Sequence, residues 1–533
     1  MLRGSDYYLK KSNDISNNQP QGLSSLITTE TFERFTYYGT RSTLLFYMYY
    51  SISSGGLNLS TSTAASIFSI FGSMVYLISV FGGYISDRFL GNQSTVSLGA
   101  ILIIFGQIFL SIPFFNLYLL ILSLIFLTFG TGLLKPTISS MIGNLYGIND
   151  KRQDSGFTYL MSGINLGALL SPIIIGFIGT HVNFHLGFLF GAISMTIGLL
   201  IYQKSKFKYI NDDNIYPSNP IEPYDIKNIL IKSSICLIGV FLISLLMFEL
   251  GSFNINNLIT FISVLIIIIP FLYFLFIFFS NKINAKEKHN LWIYLFLFIS
   301  ATMFWIIEEQ GSTVFAMMAN FNTNNNFHVN FYVLELTLFL IFSIFILKNK
   351  LNIKRLLTCL SIFVFISICM YIFLNNLYIH IPSSWFQSIN PLFILIYTPL
   401  FAMMWKKFHF SSIIKFSMGI GFAGLGCLFM LIPLIFLNSI SNPIWILISI
   451  GIVSIGEMLI SPIGLSVTNK LAPKYFKSQM MGMSYLSYAS AQAINSQIIK
   501  YYYLSPATYF TILGIFGLSI GILLICIYFF IKK

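Results

Sequence analysis

The stretch Glu30-Thr31-Phe32-Glu33-Arg34-Phe35-Thr36-Tyr37-Tyr38-Gly39-Thr40-Arg41 places two carboxylates, two guanidinium groups and two phenols close together in the chain. Glu30, Glu33, Arg34, Tyr37, Tyr38 and Arg41 recur at helical spacing, so an α-helix would display them as one stripe roughly 16 Å long. Two acids three residues apart beside a guanidinium form a crowded group whose ionisation states depend on one another. Such a group can take up a proton and release its hold on a cation. The flanks are apolar: Leu23, Leu26 and Ile27 precede, and Leu44-Leu45-Phe46-Tyr47-Met48 follows. The stripe therefore falls inside what reads as a membrane-spanning helix. A charge at that depth costs at least ~2.5–3.5 kcal/mol, so these groups should face a protein interior or an aqueous cavity.

Other apolar runs carry isolated polar groups. Lys135 lies in Gly130-Thr131-Gly132-Leu133-Leu134-Lys135-Pro136, and Asn165 in Gly163-Ile164-Asn165-Leu166-Gly167. Glu308-Glu309-Gln310 follows Phe304-Trp305, Gln387 and Asn390 precede Pro391, and Glu457 follows Ser454-Ile455-Gly456. Taken alone, a buried Lys or Glu is as readily half of a structural ion pair. Spread over several helices, they point to a shared polar cavity. The neighbouring Gly and Pro residues permit close packing or local distortion of the helices.

The elements that must position these groups are apolar runs. The chain has 533 residues, 56% of them hydrophobic and only 9% charged, with a mean hydropathy of +0.80. That balance belongs to a chain that threads lipid repeatedly. Runs long enough to cross a ~30 Å core lie near 24–50, 62–85, 94–114, 116–145, 156–180 and 184–203. After a polar, Pro-containing stretch at 204–227 they resume near 229–249, 255–280, 291–319, 331–347, 356–375, 385–405, 411–437, 443–468, 477–503 and 507–531. Lys and Arg gather in alternate short loops, including Asp87-Arg88, Lys282 to Lys288, Lys348 to Arg355, and Lys532-Lys533. The loops Ser51 to Ser62 and Asn320 to Asn330 have neither residue. This positive-inside pattern predicts cytoplasmic termini and accounts for the net charge of +13 without a nucleic-acid partner. Residues 1–22 read as a polar cytoplasmic tail without a signal peptide. Cys236, Cys359, Cys369, Cys427 and Cys526 show no metal or disulfide spacing and read as small core residues.

The motifs together resemble the proton-coupled oligopeptide transporter family of the major facilitator superfamily. The stretch from Glu30 to Gly39 matches that family's E-x-x-E-R-F-x-Y-Y-G signature. Gly82-Gly83-Tyr84-Ile85-Ser86-Asp87-Arg88-Phe89-Leu90-Gly91 resembles the superfamily's gating loop, with Asn92-Gln93-Ser94 where basic residues are usual. Lys135-Pro136, Phe304-Trp305 with Glu309-Gln310, Gln387 with Asn390-Pro391, and Ser461-Pro462 through Ala472-Pro473 are similar to further stations of the family. Met481-Gly482-Met483 is followed by Ser484 and Tyr485, where the family usually has a Trp.

The resemblance implies an all-α polytopic membrane protein with a major facilitator fold. A six-helix bundle at 23–204 would be followed by a linker with an inserted helix pair at 205–289. A second six-helix bundle at 290–533 would be interrupted by an extra hairpin at about 331–375. It also implies a bacterial di-/tripeptide permease of the inner membrane, functional as a monomer. The protein would be no enzyme and would need no cofactor or metal, protons serving as the coupling ion. Glu30, Glu33 and Arg34 would couple the proton, with either acid as the carrier. Arg41 and Lys135 would hold the peptide carboxylate and Glu457 its ammonium. Asn165 and Asn390 would bond the peptide backbone, and Tyr37, Tyr38, Tyr76 and Trp305 would wall the pocket. Arg41 with Glu309, and Lys135 with Glu457, would close the outer gate as pairs between the two bundles, and Asp87 and Arg88 would belong to the gating loop.

Two other classes compete. Within transporters the rival is a proton-coupled carrier of nitrate or an amino-acid derivative on the same fold; the Glu30/Glu33 pair argues for proton coupling, and Glu457 for an amine-bearing substrate. A membrane-embedded transferase would want a sizeable outer loop bearing catalytic acids, and the outer loops are short and nearly uncharged.

Overall fold

The computed structural model describes residues 19–113, 116–146, 150, 152–206, 215–217, 220–221, 231, 239, 245, 248–252, 254–328, 378–407, 410–437 and 442–532. The first group of helices comprises α1 (Leu23–Tyr49), α2 (Thr61–Ile85), α3 (Asn92–Ser111), α4 (Leu117–Asn144), α5 (Gln153–Ser171) and α6 (Phe184–Ser205). Then come α7 (Ile255–Phe278), α8 (Ala285–Glu308) and the short α9 (Val314–Phe321). The chain closes with α10 (Ile389–Lys407), α11 (Ser412–Phe429), α12 (Ile444–Leu471), α13 (Lys477–Tyr502) and α14 (Pro506–Lys532). The helix expected at 229–249 lies almost entirely outside the described residues, and the hairpin expected at 331–375 lies wholly outside them.

Sequence signals set where these helices begin. Asn116, Asn183 and Asn254 each accept a backbone N–H of the first turn at the starts of α4, α6 and α7. Asn284 and Glu287 form a reciprocal capping box at α8. Among the described residues, ten helical segments are long and apolar enough to cross a membrane. α1, α10 and α13 fall outside that set. α1 carries Glu30, Glu33, Arg34 and Arg41, and α13 carries Ser484, Ser487, Ser490, Gln492, Asn495 and Ser496.

α1, α3, α4, α5 and α6 pack as one bundle with α2, and α8, α11, α12 and α14 pack as a second with α10 and α13. The bundles meet along two seams, α2 against α13 and α5 against α10. α7 lies across the first seam, touching both α2 and α13, and its Ser263 shares a hydroxyl–hydroxyl bond of 2.7 Å with Ser496. Matching close approaches pin α3 to α4 and α11 to α12. A Cβ on Gly99 would lie 2.8 Å from the Gly130 carbonyl oxygen, and one on Gly456 only 2.4 Å from that of Gly419. Larger residues there would push the helices apart.

Two departures from the expected spans bear on the site. The run expected at 291–319 is broken: α8 ends at Glu308, and a 3₁₀ turn at Glu309–Ser312 precedes α9. The span expected from 385 begins instead with a 3₁₀ turn, Ser383–Ser388. The all-helical expectation also missed a short ribbon, β1 (Asn326–His328) antiparallel to β2 (Tyr378–His380).

Candidate functional site

The stripe predicted on α1 is a buried polar spine. Glu30, Glu33, Arg34 and Arg41 are all nearly inaccessible to solvent. Arg34 Nε lies 3.1 Å from Glu30 Oε1 and 2.5 Å from Glu33 Oε2, so one guanidinium serves two carboxylates. Their spacing along one helix face makes this sharing possible. One turn on, the Arg34 guanidinium stands 5.3 Å from the Tyr37 ring centroid, and that of Arg41 stands 5.8 Å from the same ring and 4.6 Å from that of Phe68. The two arginines thus flank one aromatic surface. Tyr38 packs edge-on against Tyr37 at 5.3 Å.

Arg41 reaches across the molecule: its Nη2 lies 2.7 Å from Glu309 Oε2. The 3₁₀ turn after α8 aims Glu309 at that partner, while Glu308 is the last helical residue before the turn. The next side chain, Gln310, is buried and fixed, donating to Asn495 Oδ1 at 2.9 Å and accepting from Tyr509 Oη at 2.9 Å. More bonds join the bundles at the end that carries the α1–α2 connection and the ribbon. Tyr50 Oη donates to Asn320 Oδ1 (3.0 Å), Trp385 Nε1 to the Ile173 carbonyl (3.2 Å) and Ser388 Oγ to the Leu169 carbonyl (2.7 Å). That end is closed.

Lys135, on α4, is not paired with Glu457 here, contrary to the gate pairing expected of it. Its Nζ stands 4.2 Å from the Tyr76 ring centroid, within electrostatic reach of Glu33 and Glu30. Glu457 instead accepts a 2.8 Å hydrogen bond from Asn390 Nδ2, which also contacts Ser454 Oγ at 3.2 Å. A neutral amide replaces the cation because α10 and α12 belong to one bundle and pack side by side. Asn165 turns back on its own helix and donates to the Met161 carbonyl at 2.9 Å. Its neighbour Gly167 packs against the α1 backbone at Thr31 and Phe35. Asp87 and Arg88 sit in a π-turn, Ser86–Leu90, far along α2 from the α1 cluster. The Arg88 carbonyl accepts from Ile221 N at 3.3 Å, and Gly91 (φ +73°) lies so near the Ile215 carbonyl that only glycine fits. The described linker residues Ile215, Tyr216 and Ile221 thus lie against this loop.

The sequence reading missed Tyr488. Its ring stacks on Trp305 at 3.9 Å and on Tyr76 at 4.7 Å, so Lys135, Tyr76, Tyr488 and Trp305 form a continuous row from one bundle to the other. Tyr488 lies four residues, about one turn, beyond Ser484. An aromatic wall therefore stands close to where the usual Trp is missing. Gln107 was missed as well: it is buried on α3 and donates to the Thr40 hydroxyl of α1.

The carboxyl groups Glu30, Glu33, Glu308, Glu309 and Glu457 outnumber the cations Arg34, Arg41 and Lys135 by two. Buried charge without a counter-charge is costly, so this assembly is suited to taking up protons, a cationic group, or both. Among the described residues no cluster of metal-ligating side chains of three or more occurs.

Comparison with known proteins agrees with this geometry. The sequence matches the POT family over residues 93–349 and 358–513. It is 36% identical over 532 residues to a di-/tripeptide transporter of Lactococcus lactis subsp. cremoris, covering 97% of each chain. Among solved structures, it is similar to a peptide transporter POT in complex with sulfate, with a TM-score of 0.84, 35% identity and 98% of each chain covered. It is also similar to a POT family transporter in complex with 5-aminolevulinic acid, with a TM-score of 0.81, 33% identity and 97% of each chain covered.

Proposed function

Because the chain belongs to the POT family, we propose that it is a symporter that takes up di- and tripeptides with protons by alternating access. It is a multi-pass membrane transporter rather than an enzyme. The observation that carries the proton-coupled mechanism is the buried Arg41–Glu309 pair, which ties the two bundles together beside a second buried group of two acids around Arg34.

A peptide zwitterion offers a carboxylate and an ammonium to a site that must accept many side chains. Charge at the two ends with adaptable walls between them meets that need. Lys135 and Arg41 receive the carboxylate, and Glu457, held by Asn390, receives the ammonium. Asn165 and Asn390 bond the peptide backbone, while Tyr37, Tyr38, Tyr76 and Trp305 line the side-chain space. The relative bound to 5-aminolevulinic acid supports extending this chemistry to other small molecules with an amine and a carboxylate. A nitrate carrier would have no use for Glu457.

Protonation of Glu30 or Glu33 loosens the shared hold on Arg34 and frees positive charge for the substrate. Protonation of Glu309 releases Arg41 and with it the closed end. The reading places that end outside, both termini in the cytoplasm of a bacterium, and the protein in its inner membrane as a working monomer. The basic residues in the loops at the terminal end support this orientation. Asp87 and Arg88, at the same end as the termini, belong to the inner gate.

The direct test is counterflow in proteoliposomes. Unlabelled dialanine inside should drive uptake of labelled dialanine, and an inward proton gradient should drive its accumulation. Counterflow without gradient-driven accumulation would remove the coupling, and the absence of both would remove the substrate.

A further inference from the structure

His181 and His380 face each other across the closed end, and the transport reading gives neither a role. His181 stands at the end of the π-distorted continuation of α5 (Ile178–Val182), and His380 is the last residue of β2. They therefore belong to opposite bundles. Both are exposed, and their ring centroids are 5.6 Å apart.

Each ring has one nitrogen already engaged. His380 Nδ1 lies 2.9 Å from Asn326 Oδ1, an oxygen that can only accept, so Nδ1 carries the proton. His181 Nδ1 lies 2.9 Å from Thr180 Oγ1, and Phe177 stacks on the ring at 5.0 Å with planes 12° apart. These contacts fix the ring and, with Nδ1–H donating to the hydroxyl, leave Nε2 as the lone-pair nitrogen. An oxygen partner on one nitrogen with the other open is the arrangement that prepares histidine for metal binding. The spacing also fits. With metal–nitrogen bonds of ~2.0–2.1 Å, an ion lies roughly 3.2 Å from each ring centroid, and a tetrahedral angle then puts the centroids about 5.2 Å apart.

We propose that His181 and His380 form a two-histidine site for a divalent transition-metal ion of the zinc or nickel type, bound through both Nε2 atoms. Water completes its coordination, because the rim is exposed. The same seam holds the Trp385–Ile173 and Ser388–Leu169 bonds, which must part when this end opens. A bound ion therefore clamps the closed end and slows transport. The clamp rests on the transport reading, whereas the metal site does not.

The probe is zinc chloride, applied to the full-length, tag-free protein in detergent and in proteoliposomes. Zinc should raise the unfolding temperature and slow dialanine counterflow, and EDTA should reverse both. His181→Gln and His380→Gln should each require at least about tenfold more zinc for either effect, with metal-free counterflow unchanged. A zinc response equal in wild type and either variant, or no zinc-dependent shift in unfolding temperature, overturns the site. A shift that needs both histidines but leaves counterflow untouched overturns the clamp. Absent counterflow in metal-free wild type would count against the transport reading alone, because the unfolding measurement still reports on the site.

Discussion

The guanidinium of Arg41 on α1 and the carboxylate of Glu309, in the turn after α8, form a 2.7 Å ion pair that is almost fully buried and spans the two bundles. Removing one member leaves the other charge buried and alone, which costs ~3–5 kcal/mol, whereas removing both leaves neither. Arg41→Gln and Glu309→Gln should each lower the unfolding temperature of the purified protein. The double variant should be more stable than either single one. A double variant destabilised by the sum of the two single effects would mean that the pair does not couple the bundles.

The contact between Gly456 and the Gly419 carbonyl sets the height of Glu457 against Asn390. Gly456→Val should force α11 from α12 and displace Glu457. Peptide affinity should fall more than for a Val placed at Gly421, where a Cβ meets nothing within 4 Å. Binding measured by competition on both variants checks this, and equal affinities would contradict it.

His328 and Tyr378, which flank segment 329–377, pair directly across the ribbon, a spacing that a short turn can bridge. Replacing residues 329–377 with an Asn-Gly turn should leave dialanine counterflow measurable in correctly inserted protein. Loss of peptide binding with insertion intact would make the segment part of the transport site.

A peptide end held by Lys135 and Arg41 should depend on its charge. An otherwise identical peptide with an amidated C-terminus should compete for uptake roughly ten- to hundredfold less well, the equivalent of one lost charge-assisted contact of ~1.5–3 kcal/mol. Equal competition by free and amidated peptides would take the carboxylate role from both cations.

The spine on α1 was legible because four charges stand out in an apolar run, and helical spacing alone puts them on one face. Helix starts were legible where an apolar run begins abruptly, as for α4, α6 and α7, expected from 116, 184 and 255 and found from Leu117, Phe184 and Ile255. By contrast α8, expected from 291, starts at Ala285. The break at Glu309–Ser312 was not legible: the polar interruption Glu308 to Thr313 reads as site residues within a span, and the turn itself is held by tertiary partners such as Asn495 and Tyr509. Tyr488 was hidden by abundance: 17% of the chain is aromatic, so one more tyrosine carries no signal until its two stacking partners are known. The ribbon was hidden by length, as three-residue strands are too short to show alternation. The expected Lys135–Glu457 pair failed for a related reason. Opposite charges suggest a pairing, but only packing shows that Asn390 is the nearer neighbour of Glu457.

The most direct test of proton coupling uses Glu30→Gln and Glu33→Gln, which keep shape and hydrogen-bonding capacity but cannot release a proton. Net uptake against a gradient needs a group that takes a proton on one side and releases it on the other, whereas peptide-for-peptide exchange does not. The measurement is dialanine accumulation under an inward proton gradient, set against dialanine counterflow in the same proteoliposomes. The account predicts that at least one variant loses gradient-driven accumulation and keeps counterflow. Full accumulation in both variants would place the proton on another carboxylate, and loss of counterflow in both would make the pair a structural support for Arg34; either result would contradict it.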